Sequence, residues 1–393
     1  MTATWTNWSG SVECRPAQQL EPASEEEVAD AVRSAARENR TVRVWGSGHS
    51  FVPLCASDDV LVSLDRVAGI ESVDAEQGEA TILAGSKLHD LGEPLARHGL
   101  ALENQGDVDV QSLAGAVSTG THGTGRALGS LSTQVVALRM ITGNGTLLEV
   151  TPADDDLLAA SRVSLGALGV LTAIRLRLVP AYRLHERVWQ EPIDTCLSRL
   201  DERIAATRHY EFFWYPRTGL AHGKALEPTD AAPDDMRGVE GERIDHSYNV
   251  FPTVRENRFN EMEYALPADE GPECFAAIRE LMRTRHADVT WPVEYRTVAA
   301  DGIDLSPACG RPTVAISIHQ AAQLEHRAFF ADAEPIFLAH GGRPHWGKMH
   351  SLRAPDLARL YPRWDHFCRV RDRLDPGGTF LNKHLRGLFV NRG

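Results

Sequence analysis

No stretch of this sequence approaches the ~18 apolar residues needed to cross a bilayer, and residues 1–8 lack the basic segment and apolar core of a secretory leader. No membrane association is expected, and the chain reads as soluble and cytoplasmic. Cysteine is sparse. The six thiols, at positions 14, 55, 196, 274, 309 and 368, are too scattered for a Cys-x-x-Cys metal or redox motif, and they fit a reducing compartment. No metal site is expected. Positive charge is in deficit, with 41 Lys and Arg against 54 Asp and Glu, a net charge of −13. That balance argues against a nucleic-acid groove but leaves room for a local basic pocket that takes a small anion. Internal repeats and low-complexity segments are missing too.

What remains is an ordinary globular composition, 42% apolar and 24% charged, over a length that implies two domains. The first half alternates helix and strand signals. Ser24 opens a capping-box pattern with Glu27 three residues on, and Val28, Ala31, Val32 and Ala35 recur at helical spacing. Strands are expected at 41–45, 60–64, 70–73, 80–83, 134–142, 147–150 and 171–178, a helix over 87–98, and a Gly/Thr-rich loop over 112–129. Composition shifts near Pro180. Beyond it, strand-like runs at 209–214, 289–298 and 313–319 alternate with helix signals, and an acidic stretch at 227–242 reads as a surface loop.

Two glycine-rich segments carry the first chemical signal. The strand at 41–45 runs into Gly46-Ser47-Gly48-His49-Ser50-Phe51. Gly-x-Gly after a strand invites a Rossmann reading. However, the third glycine is absent, Val52-Pro53-Leu54 opens no convincing helix, and strands follow where a crossover helix belongs. The glycines still let backbone amides approach a pyrophosphate. His49 behind them is either a capped loop histidine or an imidazole placed beside a cofactor ring. The second segment, Ser112 to Gly125, is either a polar surface loop or the wrapping of a flat ligand. Its interleaved Leu113, Ala114 and Val117 favour partial burial.

With these two segments, Ser164-Leu165-Gly166-Ala167-Leu168-Gly169-Val170 and His345-Trp346-Gly347-Lys348, the chain resembles the vanillyl-alcohol-oxidase-type FAD-linked oxidoreductases. Within them it is similar to the aldonolactone oxidase (gulono-/arabinono-1,4-lactone oxidase) and alditol oxidase branch. The resemblance implies an α+β fold. A two-subdomain FAD-binding domain of the vanillyl-alcohol-oxidase (PCMH) type would span 1–180, and an α+β substrate (cap) domain 181–343. A C-terminal segment, 344–393, would return to the FAD and active site. By the same resemblance, Gly46, Ser47, Gly48, His49 and Ser50 cradle the pyrophosphate, and His49 is bonded covalently to the flavin 8α carbon. Gly106, Asp107, Ser112, Gly115, Thr119, Gly120, Thr121 and His122 would contact FAD, and Val170 would meet the adenine side through its backbone.

The second half adds reactive side chains. On a strand, Glu294 and Arg296 share a face, and alone they read as an exposed ion pair worth ~0–1 kcal/mol. Lys348 is either a snorkelling surface lysine or an interior cation. The resemblance sets all three against the substrate. A carboxylate, a guanidinium and an ammonium suit carbinol oxidation, in which a hydride leaves carbon for flavin N5 while the hydroxyl proton departs. Two positions depart from the polyol oxidases: Asp107 stands where they have serine, and His319 where they have threonine. His319, in the buried-strand pattern of 315–319, is a core histidine or a substrate hydrogen-bonder. The expected substrate is therefore an aldono-1,4-lactone, such as gulono- or arabinono-1,4-lactone, with a xylitol- or sorbitol-like alditol as the alternative. By the same resemblance, Gly106 leaves room for O2 near the flavin and implies an oxidase, with O2 as partner and H2O2 as product. A flavin-binding protein without catalysis is the reading of another class, and intact Glu294, Arg296 and Lys348 speak against it.

Overall fold

The computed structural model describes residues 4–233 and 239–390. Residues 234–238 of the acidic stretch expected as a surface loop lie outside the described residues. Strands β1 (Gln18–Leu20), β2 (Val42–Trp45) and β3 (Val60–Ser63) form a small parallel sheet in the order β1-β3-β2. Strands β4 (Ile70–Asp74), β5 (Glu79–Leu83), β6 (Val135–Ile141), β7 (Leu147–Val150) and β8 (Val170–Arg177) form an antiparallel sheet in the order β7-β6-β8-β5-β4. The alternating apolar runs fixed these strands to within a residue at either end. The antiparallel pairing is incompatible with a Rossmann sheet.

Helix α1 (Glu25–Arg37) starts where its cap dictates. Ser24 Oγ accepts from the Glu27 N–H at 3.2 Å, but the Glu27 carboxylate reaches the Ala23 N–H rather than the cap itself. Val28, Val32 and Ala35 bury against the first sheets, while Ala31 stays at the rim. The helix expected over 87–98 is split into a 3-10 turn, Leu88–Asp90, and an α-helix, Gly92–Arg97. The Gly/Thr-rich loop hides a helix, α2 (Leu113–Thr119). Leu113, Ala116 and Val117 bury at helical spacing, and Gly120 ends the helix at φ +74° in the left-handed region.

The second half is dominated by one eight-stranded antiparallel sheet. Its strands are β9 (Arg183–Pro192), β10 (His209–Tyr215), β11 (Leu220–Thr229), β12 (Glu242–His246), β13 (Phe259–Pro267), β14 (Val293–Val298), β15 (Thr313–Ala321) and β16 (Arg343–Pro344). They lie in the order β12-β9-β11-β10-β14-β15-β13-β16. Period-two alternation sorts the side chains. Phe212 and Tyr295 stack at 5.0 Å on the face covered by helix Gly271–Arg285, where Phe275 meets both rings. Their neighbours Glu211, Glu294 and Arg296 therefore project from the opposite face. The C-terminal helices Ala354–Leu360, Trp364–Leu374 and Lys383–Phe389 run back to the parallel sheet. There the Val42 N–H donates to the Thr379 carbonyl at 2.8 Å, and the Asn382 side chain donates to the carbonyls of Pro53 and Ala56. Among the described residues no helix is long and apolar enough to cross a membrane.

Candidate active site

The first glycine loop leaves β2 with its peptides turned by contacts from outside. The Gly48 carbonyl accepts from the Trp8 N–H at 2.8 Å, and the Ser50 carbonyl from the Asn7 side chain at 2.9 Å. Gly48 holds φ +67°, a conformation that disfavours any Cβ. Among the described residues, the amides of Ser47, Gly48, His49 and Ser50 donate to no protein group. A run of free amides is an anion nest. This run lines a cleft together with Gly46, Ser112, Gly115, Thr119 and Val170. A cleft with such a nest on its wall fits the pyrophosphate of a dinucleotide.

A buried arginine holds the walls of that cleft. Arg43 donates to the carbonyls of Leu54, Gly166, Phe380 and Leu165, all at 2.7–2.8 Å. It thereby ties the first loop to the 164–170 segment and to the C-terminal return. Leu165 sits at φ +55°, a conformation that costs a non-glycine residue about 1–2 kcal/mol. The Arg43 bond to its carbonyl helps hold it there.

His49 borders both this cleft and a second cavity. Trp8 stacks on its ring with centroids 5.1 Å apart. Burial, aided by the charge of Lys348, lowers His49 to about 4. The imidazole is therefore neutral near pH 7 and keeps a lone pair for bonding to carbon.

Three neighbouring strands furnish the second cavity. In register, Glu263 on β13 lies opposite Ser317 on β15, which lies opposite Glu294 on β14, and Glu261 lies opposite His319. The Glu263 carboxylate accepts from Arg296 Nη2 (2.7 Å), His122 Nε2 (2.8 Å) and Ser317 Oγ (2.6 Å). Arg296 Nη2 also lies 3.2 Å from Glu294. Glu261 takes the Lys348 ammonium, and His319 Nε2 stands 3.6 Å from its other oxygen. His319 Nδ1 donates to the Pro292 carbonyl, leaving Nε2 turned toward the cavity. Across the cavity, Asp107 is paired with Arg255.

Backbone bonds bring the separate segments together. The Phe51 N–H donates to the Gly347 carbonyl, and the His345 and Met349 amides donate to the carbonyls of Glu263 and Glu261. Lys348 is thus held beside the edge of β13. The second loop is pinned to the sheet by the Gly125 N–H on the Thr297 carbonyl (2.8 Å) and by Thr124 Oγ1 on the Tyr210 carbonyl (2.6 Å).

The buried charges do not all titrate alike. Burial pushes Glu294 up to about 7 against the pull of Arg296, and its Oε1 has no protein hydrogen-bond partner. Burial also works against Glu263, but His122 and Arg296 outweigh it and hold that carboxyl well below its usual range. Asp107 is likewise held low, burial being outweighed by Arg255, Arg296, Lys224 and Lys348 together. One carboxylate is thus poised near neutrality among others that stay ionised.

The residues singled out in the sequence divide between the two cavities. Gly46, Ser47, Gly48, Ser50, Ser112, Gly115, Thr119 and Val170 line the cleft; Gly106, Asp107, Thr121, His122, Glu294, Arg296, His319 and Lys348 line the second cavity. His49 lines both, and Gly120 lines neither. Sequence reasoning missed Glu261, Glu263, Arg255 and Trp8. The alternation of Glu261 and Glu263 with Met262 and Tyr264 marks a strand with one polar face, which normally means solvent.

Comparisons with known proteins agree with this geometry. A family model described as an FAD binding domain matches residues 16–151, and one described as D-arabinono-1,4-lactone oxidase matches 174–238 and 235–388. The chain is 38% identical to an L-gulono-1,4-lactone dehydrogenase of Mycobacterium tuberculosis, over 98% of this chain and 99% of that one. It is 30% identical to an alditol oxidase of a Streptomyces species, over 99% of both. Its fold matches a crystal structure of cholesterol oxidase from B. sterolicum with a TM-score of 0.87 at 16% identity, over 99% and 97% of the two chains.

Proposed function

The chain belongs to the D-arabinono-1,4-lactone oxidase family of FAD-dependent oxidoreductases, and from that premise we propose that it oxidises a carbinol of an aldono-1,4-lactone in the second cavity. The observation that carries the reading is the buried cluster of Glu294, Arg296, Glu263, Lys348 and Glu261 in a cavity that shares His49 with the cofactor cleft. Bound FAD would supply the hydride acceptor. Arg296 and Lys348 bind and polarise the reacting hydroxyl as its charge develops. Glu294, poised near neutrality, receives the hydroxyl proton. Glu263 and Glu261 fix the two cations in place, and His319 reads a further substrate hydroxyl through Nε2.

Each cation in the cavity already has a carboxylate: Arg255 has Asp107, Arg296 has Glu263 and Glu294, and Lys348 has Glu261. None is spare for the carboxylate of an open-chain aldonate. This supports a neutral polyhydroxylated substrate. The expected departures at Asp107 and His319 favour a lactone over an alditol, and relatives of both names exist.

His49 carries the flavin covalently, supported by its neutral imidazole at the junction of the two cavities. O2 is the electron acceptor, giving H2O2, and Gly106 lines the cavity where it would approach. A Cβ at residue 106 would sit 3.1 Å from Thr121 Cγ2 and 3.2 Å from the His122 carbonyl, so this glycine also lets two loops meet. The chain divides into 1–180 for the cofactor, 181–343 for the substrate and 344–393 returning to both, and it works in the cytoplasm.

Two experiments test these points. A panel of aldono-1,4-lactones, aldonates and alditols, assayed anaerobically for flavin bleaching and in air for peroxide, should single out the lactones. Fastest bleaching by alditols would replace the lactone reading, and bleaching without peroxide would make the enzyme a dehydrogenase. Acid precipitation should leave yellow, fluorescent wild-type protein, whereas His49→Ala should release its flavin to the supernatant. A colourless wild-type pellet would refute the covalent link.

A further inference from the structure

Arg255 is the cavity cation that the proposed reaction leaves unused. Among the described residues its guanidinium makes one hydrogen bond, from Nη2 to the Asp107 carboxylate. Nη1 has no protein partner and, unlike Nε, is not enclosed. Arg255 keeps 27% of its side chain exposed, against 8% for Arg296, which is paired with both Glu263 and Glu294. Lys348 is held by Glu261 and serves the reacting hydroxyl. Arg255 is thus the cation with donors left to offer a second group of the substrate.

Two links fix its place. The Thr253 N–H donates to the Asp107 carbonyl at 2.9 Å, and Arg255, two residues on, returns to the Asp107 side chain. The segment carrying Arg255 is therefore docked on the loop that carries Gly106 and Asp107. Both members of the ion pair line the cavity together with Glu294, Arg296 and Lys348. Burial works against the charge of Arg255, but Asp107, and then Glu294 and Glu261, outweigh it and hold the guanidinium more firmly protonated. Glu294 and Glu261 stand on β14 and β13, so Arg255 lies within electrostatic range of the sheet that carries the proton acceptor.

We propose that Arg255 reads the carbonyl oxygen of the lactone, and that Asp107 keeps the open-chain acid out by neutralising the guanidinium. The proposal rests on the lactone reading of the substrate. A guanidinium only donates and does not lose its charge, so it complements an atom that only accepts. The lactone carbonyl oxygen is such an atom. The terminal hydroxyl of an alditol also needs an acceptor for its own hydrogen, and Arg255 offers none. Asp107 balances the charge of Arg255 but leaves Nη1 free. A neutral carbonyl therefore gains a charge-assisted hydrogen bond there. A carboxylate would gain the same bond but meet Asp107, which stays ionised beside it. Aldonolactones open in water to their aldonates, so the cavity meets both forms. Arg255 and Asp107 form a specificity pair, and neither acts on the bond that breaks.

Flavin-loaded protein is mixed anaerobically with L-gulono-1,4-lactone, and the bleaching rate gives the half-saturating concentration. Two competitors are read against it. One is the 1,4-anhydroalditol of the same configuration, which has CH2 in place of the carbonyl; the other is the aldonate made by alkaline hydrolysis. Arg255→Met should weaken the lactone at least tenfold more than it weakens the anhydroalditol, the worth of one charge-assisted hydrogen bond. Asp107→Asn should admit the acid, with the aldonate competing at least tenfold more strongly than in wild type. Asp107→Asn/Arg255→Met leaves neither charge unpaired and stands in for a single variant that fails to fold. It should keep the lactone loss and abolish the aldonate gain. Equal weakening of the two ring compounds, in Arg255→Met or in the paired variant, would make Arg255 merely structural and overturn the proposal. An aldonate that gains nothing in Asp107→Asn would overturn it too. If the lactone fails to bleach wild-type flavin, the lactone reading falls and takes this proposal with it. If it bleaches and the selectivities do not move, only the roles of Arg255 and Asp107 fall.

Discussion

The cofactor cleft and the substrate cavity meet at His49 but are made of different materials. The cleft is made of backbone: free amides from Ser47 to Ser50, glycines where a Cβ would intrude, and one arginine that binds only carbonyls. The cavity is made of side chains: four carboxylates and three cations held on antiparallel strands and three loops. Backbone donors suit a ligand whose phosphates and rings are fixed. Paired charges suit a step in which charge develops and a proton moves, because they are held before the reaction and need no rearrangement during it. The two regions should therefore fail in different ways.

Arg296→Ala should give the largest effect. It leaves Glu263 and Glu294 buried without their cation, which costs about 3–5 kcal/mol, and it removes reduction of the flavin by substrate. Thermal melting and anaerobic bleaching report the two losses. A stable, active variant would show that the cavity charges are ornamental. Arg43→Ala should come next and strike the other region. It strands the carbonyls of Leu165, Gly166 and Phe380, each costing about 1–3 kcal/mol if no water replaces the guanidinium, while the Leu54 carbonyl keeps the Asn382 amide. Flavin content of the purified protein should fall while the cavity residues keep their geometry, and full flavin content would break the comparison. The smallest effect is the response of wild type to pH. Glu294 must be ionised to accept a proton, so the rate of flavin reduction should fall about tenfold per pH unit as pH drops below about 7. A rate flat through that range would remove Glu294 from the proton-accepting role.

The same contrast explains what the sequence made legible. Gly46-Ser47-Gly48 and the Gly/Thr-rich run are visible because backbone-built sites need glycine, and glycine is conspicuous. Strand boundaries in the first half are legible because apolar alternation sets them, whereas the run expected over 289–298 forms a strand only from Val293, after Pro292. Glu261 and Glu263 were not legible, since a strand reading Glu-Met-Glu-Tyr looks half solvent-exposed until His122 and Lys348 are known to cover that face. Arg43 was invisible for a related reason: one cation inside Val-Arg-Val reads as an outward residue, and its four carbonyl partners come from segments far apart in the chain. The helix Leu113–Thr119 reads as loop in the sequence because Gly115 and the Ser/Thr content lower its helical signal, although Leu113, Ala116 and Val117 fall on one face. Lys348 was ambiguous until the Phe51 to Gly347 bond placed it beside Glu261.

Glu294→Gln tests the division of labour most directly, because it keeps volume and removes only the charge. Purified Glu294→Gln should carry as much flavin as wild type, attached in the same way, while its anaerobic bleaching by L-gulono-1,4-lactone slows by about 100- to 10,000-fold. Bleaching at the wild-type rate, or loss of flavin from the variant, would contradict the account.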